Sequence, residues 1–225
     1  MIKNIFFSII EYLIINVPGG LGQRIRYQYY KRRLKKCGKN VRIDIGVIIQ
    51  NPENIEVGDD VWFLPYSIIT SRPINEKIDN RILIKKEKPH QDIEIGTIKI
   101  GNQVSIGAYN IIQGYGGITI KDRVTTSARV SLYSFSHYPN DPQNPTTITY
   151  ANSMVKSENI SCIESPLILE EGVWIGLNVI IFGGLVGRNS FVSTNSVVLK
   201  SVEENSYAAG SPAKKVKNRF VDEEV

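Results

Sequence analysis

The sequence predicts a β-solenoid, in which short strands wind into stacked coils. Aliphatic residues recur every six positions at Leu169, Ile175 and Ile181, and again at Val192 and Val198. An α-helix repeats at 3.6 residues and a simple strand at two, so a sustained period of six fits neither. It fits a repeat fold in which each coil buries an aliphatic stack against the next. The 18 glycines and 10 prolines of the 225-residue chain supply the turns that such a fold needs.

The same period covers most of the chain and is interrupted in a few places. It runs through residues 37–49, 57–69 and 100–112, and it resumes at residue 120 after a longer turn, GYGG, at residues 114–117. Val186 arrives one residue early. Residues 71–92 form a charged insert that should leave the coil, with a β-hairpin around residues 82–84. Residues 133–165 should form a functional loop, because long loops inside compact domains are uncommon.

Residues 1–36 are expected to form an amphipathic and basic helical segment. Positions 2–17 are mostly apolar, Pro18-Gly19-Gly20 ends that helix, and a second, basic helix is predicted over residues 23–36. The first helix is short for a membrane span, and Glu11 makes it a poor signal peptide. Two interpretations stay open: peripheral attachment to an anionic membrane surface, or a helical cap on the open end of the solenoid.

Charge and cysteine content exclude other classes. Residues 1–36 hold eight Lys or Arg against one acid, so they carry a charge of +7 while the remainder of the chain is net −2. The pI of 9.1 therefore belongs to the N-terminus and predicts no nucleic-acid partner. Cys37 and Cys162 show no metal or redox motif, which favours a reducing compartment. The expected division is a helical segment at 1–36, a solenoid domain at 37–218 and a tail at 219–225.

Three stretches resemble the hexapeptide-repeat acyltransferases. They are VWIGLNVIIFGG at residues 173–184, STNSVVLKSV at 193–202 and AAGSPAKKV at 208–216. The front portion, residues 37–62, is similar to the branch that acetylates sugars and surface polysaccharides. The resemblance implies an all-β, left-handed parallel β-helix with an N-terminal helical segment and a protruding loop. It also implies a homotrimer with active sites between subunits. The left hand rests on the resemblance alone, since parallel crossovers are in general right-handed.

Histidine is the natural general base for acyl transfer, because its ordinary pKa is about 6.5. The chain has two, His90 and His137. In the family the base is a single histidine on a loop that projects from the coil, followed shortly by proline, and the segment SHYP around His137 matches this placement. His90 lies in the charged insert and matches less well. Direct transfer is implied, without a covalent acyl-enzyme, because neither cysteine has an activating neighbour in the sequence.

By the same resemblance, acetyl-CoA lies in a groove between subunits near the C-terminal coils. Small residues would let the pantetheine approach the backbone and lysines would pair with phosphates. The residues assigned to it are Trp174, Gly176, Gly183, Gly184, Ser193, Thr194, Lys200, Lys214, Lys215 and Lys217. For the acceptor sugar, Asn110, Tyr133 and Tyr138 are candidates because they lie near the His137 coil in sequence. Each has a plain structural alternative: glycines that turn corners, lysines in a solvated tail, and side chains that only pack.

The predicted function is acetyl-CoA-dependent O-acetylation of a sugar hydroxyl in a surface polysaccharide, O-antigen or capsule precursor. No metal is expected, and the protein is placed in the cytoplasm or on the inner face of the membrane. Two alternatives stay open: an N-acyltransferase acting on an amino-sugar nucleotide, and a non-catalytic solenoid scaffold. The zinc carbonic anhydrase built on this solenoid needs three histidine ligands, and this chain has two histidines in all.

Overall fold

The computed structural model describes residues 2–73, 82–86, 93–149 and 160–220, with side chains from residue 9 onward. The helices are α1 (Ile2–Ile15), α2 (Gly19–Lys31) and a short 3₁₀ helix (Pro52–Asn54). The strands are β1 (Lys36–Cys37), β2 (Arg42–Ile43), β3 (Ile48–Gln50), β4 (Ile55–Val57), β5 (Trp62–Phe63), β6 (Ile68–Thr70), β7 (Ile82–Lys85), β8 (Ile98–Ile100), β9 (Ser105–Ile106), β10 (Ile111–Gln113), β11 (Ile118–Ile120), β12 (Thr125–Thr126), β13 (Ser131–Tyr133), β14 (Phe135–Tyr138), β15 (Ser161–Glu164), β16 (Leu167–Leu169), β17 (Trp174–Ile175), β18 (Ile180–Phe182), β19 (Gly184–Val186), β20 (Phe191–Val192), β21 (Val197–Val198), β22 (Ser206–Gly210) and β23 (Ala213–Asn218).

Three parallel sheets form the walls of a solenoid, and the chain visits them in rotation. Sheet A is ordered β1-β4-β8-β11-β16-β19, sheet B is β2-β5-β9-β12-β17-β20-β22-β23, and sheet C is β21-β18-β13-β10-β6-β3. Each strand pairs in parallel with its counterpart one coil away, as Ile43 does with Phe63 and Ile175 with Val192. Only the last pair, β22 and β23, is antiparallel within the three walls.

The corners from sheet A to B and from sheet B to C, called the AB and BC corners, are tight and regular. Each carries one residue with positive φ per coil, such as Asn40 at 53° in the AB corner and Asn178 at 55° in the BC corner. Asparagine tolerates this left-handed conformation better than most residues because its short amide can bond locally. These turns keep adjacent walls one hexad apart, which produces the period of six.

The predicted aliphatic positions fill the interior. Ile43, Phe63, Ile106, Ile175 and Val192 stack inside sheet B, each fully buried. Sheet C contributes a second stack, and together with sheet A the stacks form one continuous core cluster. Thr126 occupies one position of the sheet B stack. Its hydroxyl accepts a hydrogen bond from the Asn110 amide at 2.6 Å, so the polar atoms are satisfied inside the core.

The third corner, from sheet C to sheet A, absorbs nearly all of the length variation and is called the CA corner. Eight residues separate Ile49 from Val57, but only five separate Ile181 from Val186. The short step is possible because Gly183 (φ 64°) and Gly184 (φ 81°) turn the corner with left-handed backbone. Both long interruptions of the repeat also leave from this corner. They are named the first excursion (residues 71–97) and the second excursion (residues 134–166).

The excursions build a small fourth sheet, the excursion sheet, ordered β14-β15-β7. β14 and β15 are antiparallel, and both belong to the second excursion. β7 comes from the first excursion and pairs in parallel with β15, from Ser161 with Ile82 to Glu164 with Lys85. The strand expected around residues 82–84 is present and completes a sheet with the other excursion, whereas the chain on either side of it, where a hairpin partner would be, lies outside the described residues. The expected loop at 133–165 likewise begins and ends in strands.

The N-terminal helices close the first coil. Tyr30 and Leu34 are buried in the core cluster, so α2 covers the open end of the solenoid. The buried Arg26 fastens α1 to it: Nη1 donates to the carbonyls of Ile14 (2.9 Å) and Val17 (2.7 Å), and Nε donates to Ile43 (2.9 Å). The second helix begins four residues earlier than predicted and ends five earlier, because Pro18 is its N-cap and the residues after 31 turn into β1.

The outer face of the helical segment is apolar and basic. Tyr12, Leu13 and Leu21 are each more than 60% exposed. Glu11, the one acid of the segment, receives hydrogen bonds from Tyr29 and Arg33. Burial and the negative charge of Glu11 raise the pKa of Tyr29 to about 12, so its phenol remains a donor at neutral pH. None of the helices in the described part of the chain combines the length and hydropathy that crossing a bilayer requires.

Candidate active site

His137 lies on β14 in the excursion sheet, on an edge strand rather than in a loop. Its side chain is exposed, and its backbone stands opposite Cys162 of β15. Residues opposite each other in an antiparallel pair point to the same face, and so do residues two apart along a strand. His137 therefore shares a face with Cys162 and with Phe135. His90, the second histidine of the sequence, lies outside the described residues.

Hydrogen bonds hold the start of β14 to the solenoid. Ser134 leaves the coil at the CA corner, where its hydroxyl donates to the Gln113 carbonyl (3.0 Å) and accepts from the Gly116 amide (2.9 Å). A Cβ added at Gly116 would lie 2.1 Å from the Ser134 carbonyl oxygen, so only glycine permits this approach. The predicted GYGG turn thus forms a corner that supports the start of β14, the strand that carries His137.

The next residue, Phe135, anchors the excursion sheet against the corner. It is 5% exposed and packs in a second, smaller hydrophobic cluster with Ile160 and Cys162, flanked by Leu83 and Tyr115. Arg72 lies over its ring at 5.6 Å. The same guanidinium forms an ion pair with the buried Glu164, which stands opposite Phe135 in the strand register.

The three acceptor candidates end in different places. Tyr138 follows His137 and is 37% exposed, and Tyr133 is half-buried at the end of β13 beside the CA corner. Asn110 is 1% exposed. Its amide donates to Thr126 (2.6 Å) and its oxygen accepts from the Val130 amide (2.8 Å). This burial leaves the Asn110 side chain no surface for an acceptor, and its packing alternative describes it better.

One group of co-substrate candidates gathers on the outer face of sheet B and the BC corner. Trp174 is 48% exposed, and Gly176 turns into the corner so closely that an added Cβ would lie 2.8 Å from the Thr194 amide nitrogen. Ser193 accepts a hydrogen bond from Tyr207 at 3.2 Å, and Tyr207 stands opposite Lys217 of β23. The group is called the BC patch and comprises Trp174, Gly176, Ser193, Thr194, Lys214, Lys215 and Lys217.

Two aromatic residues that the sequence interpretation missed complete this patch. Phe191 lies 6.5 Å from the Trp174 ring in edge contact, and 5.3 Å from the Tyr207 ring. Phe191 pairs with Trp174 in the strand register. The signal was present in the sequence, because Trp174 and Phe191 each stand one residue before a buried aliphatic of the repeat.

The other candidates gather at the CA corner, below the excursion sheet. Gly183 donates its amide to the Tyr133 carbonyl at 2.9 Å, and Gly184 follows it into sheet A. Lys200 is exposed one residue after Leu199, whose carbonyl accepts a hydrogen bond from Lys86 at 2.6 Å. Lys86 also lies 5.3 Å from the centre of the Phe182 ring. Its chain position, 113 residues from Leu199, gave no sequence signal for this contact.

The predicted residues therefore form two groups on different edges of one chain. The BC patch lies on one edge, and the CA corner with His137 lies on the other, with sheet C between them. A single chain does not bring the two groups together.

The cysteines are free thiols, and neither stands in a site for nucleophilic attack. Cys162 is fully buried in the smaller cluster. Burial raises the pKa of Cys37, which disfavours the reactive thiolate. Across the ranges that the structure covers, no three His, Cys, Asp or Glu side chains converge as metal ligands would.

Several curated proteins of known class match the chain. A probable acetyltransferase of Mycobacterium tuberculosis is 31% identical over 125 residues, which are 55% of this chain and 38% of that protein. The dTDP-4-amino-4,6-dideoxy-D-glucose acyltransferase of Escherichia coli is 25% identical over 82% of both chains. WbbJ of Escherichia coli, named for O-acetyl transfer in lipopolysaccharide biosynthesis, is 28% identical over 54% of this chain and 61% of its own. No protein-family model matches.

Solved structures share the fold over most of the chain. AntD, an N-acyltransferase from Bacillus cereus in complex with dTDP and 3-hydroxybutyryl-CoA, superposes with a TM-score of 0.66 at 22% identity, covering 86% of this chain and 87% of that one. The hexapeptide-repeat acetyltransferase VCA0836 of Vibrio cholerae, complexed with acetyl-CoA, gives 0.54 at 20% identity, covering 94% and 84%. This chain is a homologue of the hexapeptide-repeat acyltransferases.

The homology confirms the resemblance and the fold class, an all-β parallel β-helix with N-terminal helices. Its named relatives are acetyl- or acyltransferases, as predicted, and its structural neighbours bind CoA thioesters or CoA. The chain spans about a third of the length of the first curated relatives that it matches. The matched proteins include WbbJ, named for O-acetyl transfer, and AntD, named an N-acyltransferase, so the matches do not distinguish O- from N-transfer for this chain.

Proposed function

We propose that this homologue transfers the acetyl group of acetyl-CoA to a sugar hydroxyl of a surface-glycan precursor, with His137 as general base. The observation that carries the proposal is the placement of His137: an exposed imidazole on a strand that projects from the solenoid and is pinned at its root by Ser134 and Phe135. Imidazole can accept a proton near neutral pH, and a fixed support keeps it in a productive geometry.

The reaction is direct transfer. The imidazole of His137 removes the proton from the acceptor hydroxyl as the oxygen attacks the thioester carbonyl, and backbone N–H groups at a coil corner stabilise the oxyanion. The carbonyl re-forms, the carbon–sulfur bond breaks, and the imidazolium returns its proton to the CoA thiolate. The enzyme ends the cycle unchanged, with one acetyl ester and one free CoA thiol as products.

The residues present suit a CoA thioester. The BC patch offers an aromatic surface at Trp174 and a close backbone approach at Gly176. The lysines of β23 lie on the same wall, and Lys214 and Lys217 are exposed there. Cations of this kind would pair with the phosphates of CoA, and small residues would let the pantetheine lie against the backbone.

The proposed active unit is a homotrimer, with each site between two subunits. The BC edge is supporting evidence, because it exposes a row of large apolar side chains: Trp62, Tyr66, Tyr109, Trp174, Leu177 and Ile180. The AB corners instead carry polar residues such as Asp60 and Arg123. Exposed apolar rows of this extent mark interaction surfaces. Packing the BC edge of one subunit beside the CA corner of the next would unite the two groups that a single chain keeps apart.

Peripheral membrane contact through residues 1–36 is part of the proposal, with the enzyme on the cytoplasmic face. The exposed side chain of Leu21 lines the same groove as the exposed cations Arg24 and Arg32 and as Ile10 and Ile14, and Leu13 is exposed on the neighbouring helix α1. Apolar burial combined with attraction to anionic lipid is how amphipathic helices hold to a membrane surface. The cap formed by α2 uses the opposite face of the segment, so the two roles coexist.

N-acylation of an amino-sugar nucleotide is the second candidate, and a specific observation favours it. Two matches cover more than four fifths of the chain. One is the Escherichia coli acyltransferase named for an amino sugar nucleotide, and the other is AntD, named an N-acyltransferase. The same base and the same thioester would serve that reaction. Only the acceptor atom differs.

Product analysis separates these functions. The purified protein is incubated with acetyl-CoA and either hydroxyl-bearing glycan precursors or dTDP-amino sugars, and release of the CoA thiol is followed in solution. Transfer to a hydroxyl gives an ester that mild alkali removes, whereas transfer to an amine gives an amide that resists it. An alkali-labile product supports the proposal, and an alkali-stable one supports N-acylation.

The scaffold alternative makes a different prediction. A scaffold should neither release CoA thiol nor gain stability from the ligand. For the proposed enzyme, acetyl-CoA at about 100 times its Kd should stabilise the fold by about 2.7 kcal/mol. Absence of both effects at millimolar acetyl-CoA would favour the scaffold.

A further inference from the structure

A largely buried ion pair joins the two excursions where they leave the CA corner. Arg72 Nη2 lies 3.4 Å from Glu164 Oε2, and the two side chains are 16% and 4% exposed. Arg72 belongs to the first excursion and Glu164 to the second, 92 residues later in the chain. The pair is one of eight ion pairs found in the described residues, and its carboxylate is the most buried of them all.

Arg72 is fixed to the solenoid through its backbone. Its amide donates to the Gly96 carbonyl at 3.1 Å, which closes the first excursion at its root. Its carbonyl accepts from the Asn54 amide side chain at 2.7 Å, one coil earlier. The guanidinium therefore extends from a hydrogen-bonded backbone at the CA corner to the excursion sheet.

The guanidinium of Arg72 contacts the excursion sheet at Glu164 and Phe135. They stand opposite each other in the β14–β15 register, and Arg72 contacts both, as an ion pair with Glu164 and over the ring of Phe135 at 5.6 Å. His137 lies two residues beyond Phe135 on the same face. A change of tilt at the Phe135 level would be transmitted along β14 and would displace the imidazole.

We propose that Arg72 and Glu164 are positioning residues for His137, setting the angle at which β14 projects from the CA corner. This inference rests on the proposed function, in which His137 is the general base. Neither residue touches the reacting atoms in this role. Their effect reaches the reaction through the placement of the imidazole, to which acyl transfer is sensitive on the scale of about 1 Å.

The test is a double-mutant cycle between Glu164→Gln and His137→Ala, followed by acetyl transfer from radiolabelled acetyl-CoA. Glu164→Gln keeps the shape of the side chain and removes its charge. In the parent background it should lower kcat about tenfold and leave KM for acetyl-CoA within about twofold. In the His137→Ala background the same change should alter the residual rate by less than about twofold, because the group it positions is gone.

A matched control and a second variant guard the interpretation. Glu170→Gln breaks the Lys121–Glu170 pair (2.9 Å; 31% and 15% exposed), which bridges sheet A strands and touches neither excursion. It should leave kcat unchanged. Arg72→Gln breaks the proposed contact from the solenoid side and should reproduce the effect of Glu164→Gln, which keeps the question answerable if one variant fails to fold.

The outcomes separate the inference from the function beneath it. If Glu164→Gln lowers the rate by the same factor with and without His137, or lowers it no more than Glu170→Gln does, the positioning role is wrong while His137 keeps its place. If His137→Ala alone retains the parental rate, the proposed function fails, and the positioning role fails with it.

Discussion

At the residue scale, the repeat predicted which aliphatic side chains are buried in the core, but it did not predict which polar side chains are buried there. The aliphatic positions such as Ile175 and Ile181 are all buried, since hexad spacing fixes the direction of a side chain. Asn110 lies two residues before the inward Ile112, is also buried and satisfies its amide within the core, so its nearness in sequence to His137 was misleading. Hydrogen bonding to a neighbouring coil, 16 or 20 residues away, leaves no local signal.

Gly183→Ala should destabilise the fold by about 1–3 kcal/mol. Gly183 has a φ of 64°, and an added Cβ would lie 1.9 Å from the Ser165 hydroxyl and 2.6 Å from the Ser165 carbonyl oxygen. Both the backbone strain and the clash fall on the short CA corner. Chemical denaturation monitored by circular dichroism measures the effect.

Gly20→Ala is the control for that substitution. Gly20 lies in α2 without a positive φ, and a Cβ added there would meet no atom within 4 Å. Alanine there should be neutral or stabilising by about 0.5–1 kcal/mol. Equal stability of Gly183→Ala and the parent would show that the five-residue corner needs no glycine.

At the element scale, strands that obey the repeat were predictable, whereas elements built from the interruptions were not. The hexads predicted the walls because each strand is specified by its own few residues. The excursion sheet depends on pairing between β7 and β15, whose partners are about 80 residues apart, so short-range patterns predicted a hairpin and a loop in its place. The bounds of α2 also moved, because Pro18 served as an N-cap where the composition indicated only a helix end.

Replacing Leu13 and Leu21 together by aspartate should weaken binding to phosphatidylglycerol vesicles by about tenfold or more, because each leucine contributes apolar burial at the interface. Vesicle co-sedimentation at low salt is the measurement. Parental binding should fall as salt rises, since attraction to anionic lipid is screened.

Val216→Asp serves as the matched control for the vesicle experiment. Val216 is 62% exposed, close to the exposure of Leu13 and Leu21, but it lies on β23 at the other end of the chain. Its substitution should leave vesicle binding unchanged. If the parent protein does not bind anionic vesicles, the proposed membrane contact is wrong, and the helical cap is left as the role of residues 1–36.

At the scale of the whole molecule, one period in the sequence determines a solenoid, but a single chain holds the predicted site residues on different edges. The predicted co-substrate residues divide between the BC patch and the CA corner, which lie on different edges. Many of these residues could be identified from the sequence, but their division between two edges could not. The repeat defines positions along a coil and carries no information on which edge meets a neighbouring subunit.

Substituting glutamate at both Leu177 and Ile180 should dissociate the trimer and lower kcat by about 10². These side chains are 51% and 44% exposed on the BC edge, where charges would have to be buried between subunits. Analytical ultracentrifugation and the acetyl-transfer assay test the two consequences. Phe220→Glu, at a site 65% exposed near Asn205 in an AB corner, lies away from both the BC edge and the CA corner and should leave the assembly intact. A monomeric parent with full activity would rule out a shared site.

The central claim is that the imidazole of His137 is the general base for transfer from acetyl-CoA. The most direct test compares His137→Ala with the parent, with the transfer rate measured at saturating acetyl-CoA and the Kd for acetyl-CoA measured by calorimetry. The account predicts that kcat falls by about 10²–10⁴ while the Kd changes by less than about threefold. A variant that transfers acetyl groups within about threefold of the parental rate would contradict it.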